Sequence, residues 1–464
     1  MKTFTYVVLF LFLSSFQTQA HVWALTWGGG AFSQGAIIIC NSDGTGLNVA
    51  HSFQSPAGFH PYGNLLLASD GNLYGTCFDG GLFGSCTVFR YAPTTQIYTD
   101  VYSFDIINGD FPMSGVVEGP NGKLWGAASG GGISGGGVIY SYDINTGVYT
   151  DEFDFNSITG TLPYGNPIFH SDGKLYGLTT SGGLYGAGCL YSYDVTNGIQ
   201  VNEHIFNGAD GSNAQGSLVQ GNDGKLYGMT SSGGTYGTGV LFSYSAAEGI
   251  YTKLLDFDNT TGTIPKGSLM QGIDGNLYGM TSAGGINGYG VLFSYNAANA
   301  IYTNLYNFNL ADGSTPLGTV SQSGSILCGS TSAGGSHGLG VMFNYDLTSS
   351  TYSNVLNFNG SNGANPTGGF FEMIVSSTGS EQFSSTTSVY PTPATDKLNI
   401  SFGLPMKEQT TFNLRDATGR VVYSSVDLIT NGTKTIDVKS LTSGNYLIEV
   451  IAGSEKFTRQ IIKE

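Results

Sequence analysis

A Leu-Tyr-Gly element recurs at a fixed interval along the first three quarters of the chain, and this period limits the possible folds more than any other feature. Successive elements lie 51 residues apart, and the seventh follows the sixth after 50. The aromatic position of the element holds Trp23, Tyr74, Trp125, Tyr176, Tyr227, Tyr278 and, in the seventh unit, Cys328. Such a period is typical of proteins in which each repeat is one supersecondary unit packed against its neighbours.

Each unit predicts four antiparallel strands. In the most regular unit, an apolar stretch at 216–220 precedes an Asp223-Gly224 turn, the Leu-Tyr-Gly strand, a Gly-Gly loop, and strands at 239–244 and 250–257. Asp-Gly is a preferred two-residue hairpin connection. Four strands in about 50 residues are typical of a propeller blade, and the pattern resembles the kelch repeat with Tyr in place of its usual Trp. We therefore predict an all-β fold with a seven-bladed β-propeller over residues 21–375.

The composition agrees with many short strands joined by tight turns. The chain of 464 residues contains 72 Gly, only 10% charged residues and 13% aromatic residues. Ordinary domains have about 7% Gly and about 25% charged residues. The aromatic content excludes a disordered chain, and the lack of a Gly-X-Y period excludes collagen.

The two ends of the repeat region predict how the propeller closes. The first unit begins at His21, inside its second strand, so its first strand is missing. A strand without a unit of its own stands at the other end, at 368–375. Pairing of this last strand with the first blade would cover two sheet edges that otherwise invite aggregation. We predict a strand swap between the N- and C-terminal ends of the propeller.

The same span resembles a bacterial "choice-of-anchor" tandem-repeat family known as GloVer repeats. The resemblance rests on the series Gly-x-Leu-Val/Met-Gln, Asp-Gly-x-Leu-Tyr-Gly-Met-Thr and Gly-Gly, which is clearest in residues 216–292. It implies a repeat architecture with an anchor, and it brings neither an activity nor catalytic residues.

Charge separates the chain into two regions. Residues 21–375 contain six basic and 23 acidic residues, a net charge of −17, whereas residues 376–464 contain nine of each. So acidic a region cannot neutralise a phosphate backbone or an anionic membrane surface. The sequence therefore predicts neither nucleic acid nor acidic lipid as a partner.

The N-terminus has the pattern of a signal peptide at residues 1–20. Lys2 precedes an apolar run at 6–13, and Ala20 offers a small residue for cleavage. The run is too short to span a bilayer, and we expect no transmembrane segment in the mature chain. The signal peptide therefore predicts export.

Beyond a polar linker at 376–388, alternating residues predict a small β-sandwich at 389–464. It is similar to the type A sorting domain of the type IX secretion system in Bacteroidota, on the segments 389–394, 416–420, 441–447 and 461–464. Thr392 departs from the Asn usual in that family. The resemblance implies transport by the type IX machinery, followed by removal of the tail and surface attachment or release. Together with the signal peptide, it implies a location outside the cell or on the outer-membrane surface of a Gram-negative bacterium. By the same resemblance, the residues of the sorting motif in this chain are Tyr390, Pro391, Pro393, Gly419, Arg420, Gly444, Tyr446 and Lys463.

The five cysteines are too few for a disulfide framework. Cys77 and Cys86 flank one loop, so we predict a disulfide between them in an oxidising compartment. Cys40, Cys189 and Cys328 hold repeat positions occupied elsewhere by Tyr or Val, and we expect them to be buried and unpaired.

No motif predicts a catalytic centre or a cofactor site. The six histidines show no metal-ligand spacing, and we expect no such metal site. Residues 130–136 fit a dinucleotide fingerprint and a nucleophile elbow only through their glycine content, because no helix follows. Calcium binding by the loop 207–212 is the one cofactor hypothesis left open. Aspartates before Gly in the hairpins are interpreted first as turn formers, namely Asp70, Asp172, Asp223 and Asp274.

The Gly-Gly loops provide the candidate ligand-binding positions. They lie on the face that carries the two long loops of each predicted blade, where binding residues usually reside. Nine residues after each Leu-Tyr-Gly aromatic stand Phe32, Phe83, Ser134, Tyr185, Tyr236, Asn287 and His337. Aromatic rings beside amides and hydroxyls suit sugars. The alternative is that these side chains pack between blades as wedges.

Three functions stay open at this point. The first is a non-catalytic binding or adhesion module for glycan. The second is an extracellular polysaccharide-acting enzyme, a hydrolase or a lyase, with its acid and base on separate blades. The third is a structural surface-layer protein, which would explain why the repeats are so alike.

Overall fold

The structure is a computed structural model that describes residues 19–120, 122–375, 388–390, 394–401, 409–416, 420–428, 433–452 and 455–463. The described residues form 35 β-strands and no helix, so the predicted all-β fold is confirmed. None of them belongs to a helix long and apolar enough to cross a membrane. The predicted signal peptide, apart from its last two residues, and the linker at 376–387 lie outside the described residues.

Seven antiparallel sheets of four strands each follow one another through the repeat region, and we number them in chain order. Sheet 1 contains β1 (Gln19–Thr26), β2 (Ala36–Asn41), β3 (Asn48–Ser52) and the late strand β28 (Phe371–Val375). Sheet 2 contains β4 (Phe59–Leu67), β5 (Leu73–Asp79), β6 (Thr87–Ala92) and β7 (Ile97–Ser103). Sheet 3 contains β8 (Val117–Glu118), β9 (Lys123–Ala128), β10 (Val138–Asp143) and β11 (Tyr149–Asp154).

The remaining four sheets have the same order of strands. Sheet 4 contains β12 (Ile168–Phe169), β13 (Leu175–Leu178), β14 (Cys189–Asp194) and β15 (Ile199–Ile205). Sheet 5 contains β16 (Val219–Gln220), β17 (Leu226–Thr230), β18 (Val240–Ser245) and β19 (Ile250–Asp256). Sheet 6 contains β20 (Met270–Gln271), β21 (Leu277–Thr281), β22 (Val291–Asn296) and β23 (Ile301–Asn307). Sheet 7 contains β24 (Ser321–Ser323), β25 (Ile326–Thr331), β26 (Val341–Asp346) and β27 (Thr351–Asn357).

Every one of these sheets has a register shift between its last two strands. In sheet 5 the shift falls between Leu241 and Phe242, and the other six sheets have it at the equivalent place. A β-bulge of this kind increases the local right-handed twist of a strand pair. The repeat therefore encodes the twist of each sheet as well as its strands.

The hydrophobic cores lie between neighbouring sheets. One core joins Tyr227 and Leu241 of sheet 5 to Leu277 and Phe293 of sheet 6. Each sheet buries side chains on both faces, which explains the near-continuous apolar runs in the second and third strands.

Sheets 7 and 1 share a core of the same kind, although they stand at opposite ends of the repeat region. Val22 and Ile38 of sheet 1 pack with Met342 of sheet 7 and with Phe358. The Asn344 amide also donates a hydrogen bond to the Ser42 carbonyl at 2.8 Å. Sheet 1 takes β28 as its first strand, next to β1.

Glycines occupy the positions at which the inner strands of neighbouring sheets come closest, because a side chain there would collide with the backbone of the next sheet. A Cβ added to Gly216 would collide with the Gly267 carbonyl oxygen, and one added to Gly368 would collide with that of Gly63. The inner strands of sheets 1 and 2 therefore approach each other as closely as those of sheets 5 and 6.

Residues 388–463 form two further antiparallel sheets with one core. The smaller contains β29 (Ser388–Tyr390), β30 (Lys397–Ser401) and β33 (Thr433–Asp437). The larger contains β32 (Val421–Leu428), β31 (Gln409–Asp416), β34 (Gly444–Ala452) and β35 (Glu455–Lys463). Leu398 and Ile436 of the smaller sheet share a buried cluster with Phe412 and Ile448 of the larger. Contacts divide the chain into a compact unit of residues 21–373 and a second unit that includes residues 374–464.

The predicted Cys77–Cys86 disulfide is not formed. All five cysteines are free and buried, as expected for Cys40, Cys189 and Cys328. Cys77 lies opposite Thr87 in the β5–β6 pair, and successive side chains of a strand point to opposite faces, so the Cys86 thiol points away from Cys77. The two residues accordingly belong to different cores.

Candidate binding face and axial cavity

The Gly-Gly loops are held by a repeated backbone contact. In sheet 5, Gly233 and Gly234 have φ of 79° and 77°, a conformation that favours glycine. The loop then turns so that the Thr235 amide donates a hydrogen bond to Asp256, the last residue of the outer strand, at 2.8 Å. Asp154, Asn307 and Asn357 accept the equivalent bond in sheets 3, 6 and 7. The loop tips are thus tied to a rigid scaffold.

The predicted aromatic positions are exposed at these loop tips. Phe32 and Phe83 are 52% and 59% exposed, and Tyr185 and Tyr236 are each 62% exposed. Asn287 and His337 are exposed as well. Aliphatic side chains next to some of these positions are also exposed, namely Leu82, Ile133, Leu184 and Ile286. The alternative in which the ring side chains pack between blades is wrong, because these side chains face solvent.

A second candidate site is an axial cavity of about 320 Å³, which all seven sheets line at the start of their inner strands. The equivalent position of each repeat contributes Tyr62, Met113, Tyr164, Gln215, Lys266, Leu317 and Thr367. Small-molecule sites usually measure about 300–1,000 Å³, so the cavity suits a small ligand.

A strained backbone residue precedes each of these lining positions. Two residues earlier, a residue other than glycine has a φ between 51° and 59° in all seven sheets: His60, Phe111, Leu162, Asn213, Ile264, Thr315 and Asn365. Proline follows it in six of the seven. Such conformations cost energy and persist only where the surrounding structure enforces them. They turn the chain sharply into the cavity.

Several polar groups of the cavity wall already form hydrogen bonds with other residues of the protein. The Ser217 hydroxyl accepts a hydrogen bond from the backbone N–H of Asn166, and the Ser268 hydroxyl accepts one from the backbone N–H of Ser217, each at 2.8 Å. The Asn64 side-chain oxygen accepts one from the Gly369 amide at 2.6 Å. These bonds link neighbouring sheets, so the groups are structural.

Other lining groups remain available to a ligand. Among the described residues, the Tyr62 and Tyr164 hydroxyls have no hydrogen-bond partner. The Thr367 hydroxyl also has none, but it is buried and does not face the cavity. Burial, followed by the nearby Tyr164 phenol, raises the pKa of Tyr62. Lys266 is the only charged residue in the described lining.

An aromatic cluster adjoins the cavity on one side only. This mouth cluster consists of Trp27, His60, Tyr62, Phe78 and Phe111. The Trp27 and His60 rings are stacked at 4.6 Å, Trp27 meets Tyr62 edge-on at 5.8 Å, and Phe78 lies 4.9 Å from Phe111. Asp79 holds the His60 ring through Nδ1 at 2.7 Å.

The mouth cluster breaks the symmetry of the repeat. The positions of Trp27 and Phe78 hold Ser or Thr in the other five sheets, where, for example, the Ser231 hydroxyl donates to the Asn213 carbonyl. Sequence reasoning missed this cluster because it compared only the loop tips. Comparing the fourth residue after each Leu-Tyr-Gly aromatic would have revealed the two large rings.

The other sequence candidates have structural partners. The hairpin aspartates accept hydrogen bonds from the tyrosines that follow them, as Asp223 does from the Tyr227 hydroxyl at 2.8 Å. In the loop proposed for calcium, Asp210 contacts His204 at 3.0 Å and accepts a hydrogen bond from the Asn207 amide at 2.9 Å. The described residues contain no group of three or more potential metal ligands.

The sorting-motif residues lie in the C-terminal sheets where they are described. The Arg420 side chain pairs with Asp416 at 3.1 Å, and the Tyr446 hydroxyl donates to the Thr442 carbonyl at 2.8 Å. Tyr390 lies in β29, Gly444 begins β34 and Lys463 ends β35. Pro391, Pro393 and Gly419 lie outside the described residues.

Family comparison agrees with the repeat and with the tail. The Gloeobacter/Verrucomicrobia repeat matches residues 13–170 and 163–386. The chain belongs to this repeat family. A secretion system C-terminal sorting domain matches residues 388–464, which implies interaction with the type IX machinery and export to the cell surface or the extracellular space. No match was found among curated proteins.

Two solved structures similar to this repeat-family member share its fold alone. A Bacteroides fragilis protein described as a 6-phosphogluconolactonase has 14% identity and a TM-score of 0.53 over 78% of this chain and 99% of its own. A Bacteroides uniformis protein with the same description has 15% identity and a TM-score of 0.53 over 77% of this chain and 100% of its own. TolB from Acinetobacter baumannii has 17% identity and a TM-score of 0.41, and the match spans 62% of this chain and 63% of TolB.

Proposed function

We propose that this protein is an exported seven-bladed β-propeller that binds glycans without transforming them, through the aromatic tips of its Gly-Gly loops. The observation that carries the proposal is the set of four aromatic rings, more than half exposed, at equivalent positions of the repeat. Exposed aromatic rings on a surface of hydroxyls and amides can stack against the apolar face of a sugar.

The arrangement of the seven sheets supports a closed propeller. The core between sheets 7 and 1 is of the same kind as that between sheets 5 and 6. The glycine contacts at the inner strands join sheet 1 to sheet 2 as they join sheets 5 and 6. A closed ring of blades places all seven Gly-Gly loops on one face, where several loop tips can contact one polymer at once.

Binding is favoured over hydrolysis by the chemistry of the axial cavity. Glycoside hydrolysis usually requires two carboxyl groups flanking the scissile bond. The described lining of the cavity offers a lysine, amides and hydroxyls instead. These groups can orient a sugar by hydrogen bonds.

A glycan array tests the proposal. The purified protein is compared with the double variant Tyr185→Ala/Tyr236→Ala, and we expect retention on its glycans to fall at least tenfold in the variant. Ile273→Ala is the control, because it removes an apolar side chain that is even more exposed from a hairpin turn away from the Gly-Gly loops. Binding to no glycan at all, or equal retention by the wild type and the double variant, would refute the proposal.

A further inference from the structure

The axial cavity differs in charge from the rest of the repeat region. Residues 21–375 have a net charge of −17, yet the described lining of the cavity contains Lys266 and no carboxylate. Lys266 forms no salt bridge with any described residue. Lys266 is half-buried among neutral groups. Its charge attracts a bound anion more strongly than a charge at the surface would, because solvent and salt screen it less.

We propose that the axial cavity binds a sugar residue that carries a carboxylate, a uronic acid, with Lys266 as the partner of the carboxylate. This inference rests on the proposed glycan binding and names the class of sugar and a second contact site. The hydroxyls of Tyr62 and Tyr164 are available for the ring hydroxyls of the sugar.

The mouth cluster supplies the apolar part of the same site. Phe111 is 41% exposed, and Tyr62 belongs both to the cluster and to the cavity wall. A pyranose ring has an apolar face that stacks on such rings, and its substituents remain free for polar contacts. The mouth cluster lies only beside sheets 1 to 3, so the two faces of a bound sugar would meet different surroundings.

Size and charge separate this ligand from other anions. A cavity of about 320 Å³ lies at the lower end of small-molecule sites, which suits a single sugar residue. A phosphate group carries about −1.5 to −2 charges at pH 7, which a single lysine does not balance. One carboxylate matches one ammonium.

Calorimetric titration with matched disaccharides tests the inference on the full chain. The probes are cellobiouronic acid against cellobiose, and digalacturonic acid against galactobiose, so the members of each pair differ in their carboxylates. We expect at least one acidic disaccharide to bind tenfold or more tighter than its neutral partner. We expect Lys266→Gln to abolish that preference and Lys266→Arg to retain it.

Lys225→Gln is the matched control, because it removes the same charge from an exposed hairpin outside the cavity. An equal loss of preference in Lys225→Gln would show a general effect of charge and refute the inference. Binding without acidic preference, or tighter binding of glucose 6-phosphate than of either acidic disaccharide, would refute it and leave the proposed glycan binding intact. Binding of no saccharide in this titration or on the array would refute both.

Discussion

A methyl group added to the inner glycines tests the close approach of neighbouring sheets. Gly216 has an ordinary φ, so Gly216→Ala introduces no backbone strain of its own. The three atoms nearest to the new Cβ are all backbone atoms of Gly267 and Ser268, and the carbonyl oxygen among them lies far inside contact distance. No side chain can rotate away, so the two inner strands must separate by about 1 Å.

Overpacking of a well-packed region costs about 1–3 kcal/mol, and a contact made only with backbone belongs at the upper end of that range. We expect Gly216→Ala to lower the free energy of unfolding by about 3 kcal/mol. Urea denaturation followed by intrinsic fluorescence measures the change in midpoint.

Ser114→Ala is the control for this experiment. Ser114 holds the equivalent position in sheet 3 and already carries a Cβ, so its replacement removes only a hydroxyl with long contacts of 3.2 and 3.4 Å to carbonyl oxygens. We expect a loss of about 1 kcal/mol or less. A Gly216→Ala variant as stable as the wild type would refute the close approach of the inner strands.

Two further predictions concern titratable groups. Burial, and after it the charge of Asp154, raises the pKa of Asp151 to about 6. The folded state therefore holds this proton more tightly than the unfolded state does. The stability gained in this way is lost as the pH rises from about 4 through 6. The melting temperature of Asp151→Asn should therefore rise relative to the wild type between pH 4.5 and 7.5, and an unchanged difference between the two proteins would contradict this account. Burial also raises the pKa of the Cys77 and Cys86 thiols, so iodoacetamide should label neither of them in the folded protein. In denaturant without reductant, it should label all five cysteines. Labelling of only three cysteines under that condition would indicate a disulfide.

The strands could be predicted from the sequence because the repeat shows each one seven times. The stretches predicted at 239–244 and 250–257 are β18 and β19 with shifts of one residue. The inner strand was predicted at 216–220, but only Val219 and Gln220 form ladder pairs, because the preceding residues approach the next sheet instead of a strand partner.

The sites were harder to predict because they depend on which side chains meet across sheets. The exposure of Tyr185 and Tyr236 follows from their place in a glycine-rich turn, although the sequence alone left packing between blades open as an alternative. The cavity was not foreseen, because Lys266 and Tyr62 line it together although they belong to distant repeats. The predicted disulfide was wrong, because Cys77 and Cys86 point to opposite faces of their strand pair. Spacing along the chain gives neither fact.

The pairing of β28 with β1 has a consequence for the order of folding. The strands of sheets 2 to 7 each lie within about 40 residues of chain, whereas sheet 1 joins residues about 350 apart. Because the entropic cost of closure grows as (3/2)RT ln n, closing sheet 1 costs about 1.9 kcal/mol more than closing another sheet. Sheet 1 is therefore expected to form last and to open first, which makes it the point at which the repeat region could gain or lose a repeat during evolution while the other sheets stay intact.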